Sequence, residues 1–107
     1  MSGLGPETLA KLERLAAAGI RILPLPGIDS HFALERGGYA VLVARSPEGF
    51  GAVGSAGLIT EDGLAVLVWE KGRPFFRTRR SRLEASSAQV EELRRFAAAV
   101  EEALRAP

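Results

Sequence analysis

Three stretches of this 107-residue chain hold residue types that could do chemistry. Asp29-Ser30-His31 contains the three residue types of a hydrolytic triad, and His31 is the only histidine. Adjacency argues against that role, because a triad is gathered from distant segments around a pocket with an oxyanion hole. In extended backbone Asp29 and His31 would project to one side and Ser30 to the other. The simpler reading is an Asx-type turn at Asp29, following Pro26-Gly27, with His31 opening a strand. A small enzyme working through His31 stays open as a third reading, and it requires a concave pocket around that residue.

The second stretch, Gly49-Phe50-Gly51-Ala52-Val53-Gly54, matches G-x-G-x-x-G. A dinucleotide site needs those glycines to open a helix whose N–H groups cradle the pyrophosphate. Only a few residues separate Gly54 from the Glu61-Asp62-Gly63 turn, and a crossover with its helix needs at least about 10–12. The motif therefore reads as a glycine-rich strand whose bare backbone permits a bulge or a close approach. No cofactor follows from it. No metal site follows either: with no cysteine, one histidine and Asp29 and Asp62 as the only aspartates, the usual zinc ligand set is missing. The carboxylate pairs Glu61-Asp62, Glu91-Glu92 and Glu101-Glu102 read as solvated turn and helix positions, so no catalytic residue is assigned.

The third stretch is the most unusual. Residues 71–82 hold Lys71, Arg73, Arg77, Arg79, Arg80 and Arg82 and no acidic residue. The whole chain has 14 basic and 13 acidic residues, so outside this segment 8 basic face 13 acidic ones. The near-neutral total hides a polarised molecule. If 75–81 is a strand, Phe75, Arg77, Arg79 and Ser81 share one face, and Phe76, Thr78 and Arg80 the other. Guanidinium forks suit phosphates and carboxylates, and neighbouring aromatics can stack on a ring. The competing explanation is a basic edge that discourages aggregation, neutralised by the acidic C-terminal helix. The candidate ligand or partner residues are Arg77, Arg79, Arg80, Arg82 and Trp69.

The elements that carry these residues can be read from pattern. Pro6, Glu7 and the stripe Leu9, Leu12, Leu15, Ala16 give a short helix ended by Gly19. Residues 20–25 are extended, but Pro24 and Pro26 restrict them to an edge strand or a connector. Gly37-Gly38 makes a two-residue hairpin between 32–35 and 39–45. Turns follow at 46–49, 61–63 and 71–72, before strands at 64–70 and 74–80. Ser86 with Gln89 is a capping box, and Val90, Leu93, Ala97, Val100 and Leu104 repeat with helical spacing. The expected fold is α+β, one domain over 1–107: an N-terminal helix, a five-stranded antiparallel meander and a C-terminal helix in a two-layer α/β sandwich. This order resembles profilin-like and secretion-chaperone-like modules in fold alone.

Strands 39–45 and 64–70 are apolar on both faces, whereas a sheet with one wet face alternates. Either the two helices are split one per face, or a second copy covers one side. The expectation is a homodimer through the sheet face, acting as a non-enzymatic protein-binding or adaptor domain. The alternative is nucleic-acid or phosphate-ligand binding through 71–82, with an acidic protein or anionic ligand as its partner. No leader is read in residues 1–6 and no apolar run approaches the about 18 residues of a membrane span. A cytoplasmic bacterial setting is expected. With Gln89 the one glutamine, no asparagine and arginine far above lysine, the composition is thermophile-like.

Overall fold

The computed structural model describes residues 5–25, 27–47 and 49–105. The leader reading of 1–6, the Pro26 step and the turn at 46–49 each include residues outside that set. The order is α1 (Pro6–Ala17), β1 (Arg21–Pro24), β2 (His31–Arg36), β3 (Tyr39–Ser46), β4 (Gly49–Thr60), β5 (Gly63–Glu70), β6 (Arg73–Arg77), β7 (Arg82–Glu84) and α2 (Ser87–Leu104). The fold is α+β with a fully antiparallel sheet. It has seven strands in sequence order, not five. The additions lie at the two edges. Residues 21–24 pair with β2 as an edge strand, and 82–84 pair with β6.

Local chemistry sets the element ends. Gly19 takes φ +74 and ends α1, with the Ile20 N–H donating to the Leu15 carbonyl at 2.9 Å, which satisfies an orphan helix carbonyl. The Ser86 Oγ accepts from the Gln89 N–H at 3.1 Å, and the Gln89 side chain accepts from the Ser86 N–H at 2.9 Å. Gly37 and Gly38 (φ +63 and +91) and Lys71 and Gly72 (φ +53 and +78) make two two-residue hairpins with positive φ at both central positions, as type I′ turns require.

Register then decides what is buried. Ile22, Leu34, Val41 and Ala56 lie in one cross-strand row; Leu58 pairs with Ala65 and Leu67 with Phe76 on the same face. Most of these join Leu15, Val90, Leu93, Phe96, Val100 and Ala103 in one core. Both helices therefore lie on this face. The alternative of one helix per face is overturned. Tyr39 ties the sheet to α2: its hydroxyl donates to Glu92 Oε1 at 2.7 Å. Burial, and then the Glu92 carboxylate, push its pKa up to about 12.

The β4 ladder is irregular. Register shifts fall between Val41 and Val43 and again between Val43 and Arg45, and β4 pairs with β5 only over Gly57–Thr60. Extended strand runs through the whole G-x-G-x-x-G match, so no helix opens on its glycines. At Gly57 a Cβ would lie 2.2 Å from the Ala65 carbonyl oxygen; only glycine lets β5 cross there.

Candidate functional site: an uncovered sheet face with an arginine rim

The face away from the helices carries Leu23 on β1, His31, Ala33 and Glu35 on β2, and Ala40, Leu42 and Ala44 on β3. It continues through Gly57 and Ile59 on β4, Leu64, Val66, Val68 and Glu70 on β5, Phe75 and Arg77 on β6, and Arg82 and Glu84 on β7. Its centre is apolar. Ala33, set between Leu23 and Leu42, is buried, while Leu42, Leu64, Val66, Val68 and Phe75 are half-buried. A hollow of about 290 Å³ opens there, between His31, Leu42 and Ala44 on one side and Leu64 and Val66 on the other, with Gly54 and Ser55 also lining it.

Charged groups sit at the two ends. At the β1–β2 end Glu35, buried under Arg21, accepts from the Gly38 N–H at 2.9 Å and from Arg21 at 2.8 Å. The backbone donor first and the guanidinium second hold its carboxyl below the usual range, against the opposing effect of burial. At the β5–β7 end Glu70 accepts from Arg77 at 3.2 Å and from Arg82 at 2.6 Å. Arg73 pairs with Glu84, and the Arg82 guanidinium lies 4.6 Å from the Phe75 ring centroid.

This arrangement revises the reading of 71–82. Three of its six cations are met by Glu70 and Glu84, which stand on neighbouring strands just outside the segment; the acidic C-terminal helix does not supply these counterions. The strand expected over 74–80 ends at Arg77. Thr78 Oγ1 accepts from the N–H groups of Arg80 and Ser81, and this side-chain turn replaces ladder pairing. Arg79 and Arg80 consequently sit in a turn, beside Glu61 and Asp62 around a hollow of about 440 Å³. The five candidate residues do not converge. Arg77 and Arg82 share Glu70 on the uncovered face, Arg79 and Arg80 lie at the strand ends, and Trp69 pairs with Pro74 on the helix-bearing face, 54% exposed.

His31 is half-buried at the edge of the apolar hollow, with Nδ1 2.8 Å from Ser30 Oγ. A pocket around it does exist, as the third reading requires. Among the described residues no carboxylate is bonded to the ring, so the orienting member of a triad has no counterpart at the imidazole. Sequence reasoning missed Glu70 and Glu84 as members of the rim and Glu35 as a buried acid. The signal for the first two was their position immediately flanking the basic run. No helix among the described residues is long and apolar enough to cross a membrane. Compared with protein-family models, curated proteins and solved structures, the chain matches none.

Proposed function

We propose that this chain is a non-enzymatic, homodimeric protein-binding or adaptor domain, built in two layers, whose uncovered sheet face meets a second copy. The one-sided core is the observation that carries the reading. Both helices pack on one face, yet Leu42, Leu64, Val66, Val68 and Phe75 line the other. An apolar centre with charged ends is the anatomy of a protein interface. A standard interface takes about 800 Å² from each partner, and a molecule measuring 48 × 28 × 20 Å has a broad face large enough to provide it. The arginines and glutamates at the ends would fix the relative orientation of the copies more than their affinity. A cytoplasmic setting and a thermophilic source belong to the same proposal and rest on composition.

Sedimentation equilibrium tests it. The wild-type chain is expected at twice its 11.4 kDa mass, and Val66→Lys, which buries a charge in the contact, is expected as a folded monomer. A wild-type monomer throughout the micromolar range, or a dimer untouched by the lysine, contradicts the proposal.

A second reading is favoured by one observation: Lys71, Arg79 and Arg80 have no ion pair among the described residues. In that reading they bind a phosphate-bearing or nucleic-acid ligand, and binding weakens steeply with salt. Replacing Arg79 and Arg80 together with alanine is expected to abolish it. It is the weaker reading because the other three arginines of the segment already have carboxylate partners.

A further inference from the structure

A cavity of about 280 Å³ lies on the helix-bearing side, between α1, the β1 edge and the β3–β4 hairpin. Its walls are Leu12, Ile22, Pro24, Phe32 and Phe50, with Thr8, Gly49 and Arg45 completing the lining. Phe32 and Phe50 meet edge to face with centroids 5.4 Å apart, so this side of the cavity is an aromatic corner. The approach of α1 is fixed by Gly49, where a Cβ would come 2.9 Å from the Thr8 side chain.

Arg45 is the unexpected member. Alternation along β3 puts it on the same face as Tyr39, Val41 and Val43, the row that builds the core. Its guanidinium lies over the Phe32 ring, 5.5 Å from the centroid, so the planar face is engaged and the N–H edge stays available. Among the described residues no acidic side chain lines the cavity, and none pairs with Arg45. An open apolar hollow with one exposed cation at its rim among the described residues selects for a ligand with an apolar body and one negative charge. A phosphate ester carries more charge and more acceptors than one guanidinium satisfies, whereas a carboxylate matches its fork.

We propose that this cavity is a binding site for a small hydrophobic carboxylate, an aryl- or alkyl-carboxylic acid of about a dozen non-hydrogen atoms. Leu12, Ile22, Pro24, Phe32 and Phe50 contact its apolar body, and Arg45 receives the carboxylate. The site is independent of the proposed dimer face, which lies on the other side of the sheet, so either stands without the other.

The test uses amide chemical-shift titrations of the full chain with 4-phenylbutyrate and with the uncharged 4-phenylbutan-1-ol. Saturable binding of the acid is expected with a Kd of about 1 mM, the range set by ligand efficiency for a molecule of this size. The largest shifts should fall at Leu12, Phe32, Arg45 and Phe50. The acid should bind about five-fold more tightly than the alcohol, the effect of one exposed charge-assisted contact. In Arg45→Gln that ratio should fall to about one while the alcohol's affinity is unchanged, and Arg45→Lys should restore part of it. Equal affinities for acid and alcohol in the wild type overturn the proposal. So do shifts confined to the uncovered sheet face, or no saturation by about 20 mM acid, well above the expected Kd.

Discussion

Replacing Gly57 with alanine tests the close approach of β4 to β5. The added Cβ would meet the Ala65 carbonyl oxygen at 2.2 Å, its carbon at 2.8 Å and the Val66 Cα at 2.9 Å. All three are backbone atoms, so no side chain can swing away. Relief requires β5 to retreat by about 1 Å, which opens the Gly57–Val66 rung, one of only four that hold β4 to β5. Overpacking of this kind costs about 1–3 kcal/mol, and the lost ladder bonding adds about 1 kcal/mol. For about 3 kcal/mol in a domain of this size, the melting temperature should fall by roughly 12 °C. Gly51→Ala and Gly54→Ala supply the scale. Their nearest contacts are backbone oxygens at 2.8 Å and 3.2 Å, so Gly51→Ala should lose less than Gly57→Ala. At Gly54, reduced freedom of the unfolded chain offsets the contact to within about 1 kcal/mol. Thermal melts followed by circular dichroism at one fixed protein concentration measure all three. A Gly57→Ala melt within 3 °C of wild type, or a reversed order, refutes the reasoning.

Other outcomes follow from single contacts. Lys71 is the one non-glycine residue with positive φ among those described, so Lys71→Gly should stabilise the chain by about 1 kcal/mol in urea unfolding. Tyr39→Phe loses the hydroxyl's bond to Glu92 and should cost about 1 kcal/mol. The Tyr39 pKa is raised to about 12 in the fold. Its contribution is therefore complete below the unfolded value near 10 and is lost as pH rises toward 12; the Tyr39→Phe chain should lack that part of the alkaline loss. For Glu35 the sign is opposite. Its carboxyl is held low in the fold, so its contribution is present above the unfolded value and lost as pH falls through the folded one. The stability gap between wild type and Glu35→Gln should accordingly narrow from pH 7 to pH 3. Removing the exposed rim carboxylate Glu84, as in Glu84→Gln, should change stability by less than about 1 kcal/mol.

Features fixed by neighbouring residues were legible in the sequence. The capping box at Ser86 and Gln89, the stop at Gly19 and the Gly37-Gly38 turn each depend on one or two side chains acting on nearby backbone. What depended on register was not legible. β7 is three residues long with no alternation, and it exists as a strand through its pairing with Phe75–Arg77. The basic run looked unpaired because a window of 71–82 starts one residue after Glu70 and stops two before Glu84, the carboxylates that meet it. Its apparent continuation as strand failed at Thr78, whose hydroxyl captures two N–H groups. The two-faced apolar pattern of β3 and β5 was visible, but equal faces cannot say which one the helices take. That choice sits in the tertiary contacts of Leu15, Leu93 and Phe96. The Arg45 cavity was likewise invisible, since it needs β1, the β3–β4 hairpin and α1 brought together.

The most direct test is an isotope-filtered NOE experiment on a mixed sample, half uniformly ¹³C-labelled and half unlabelled. It reads only contacts between copies. The proposed dimer predicts intermolecular NOEs from the methyl groups of Leu42, Leu64 and Val66, and none from the core methyls of Leu93 and Val100. No intermolecular NOEs at millimolar protein, or NOEs confined to Trp69, Leu83 and the helices, would contradict the claim that the uncovered sheet face is where two copies meet.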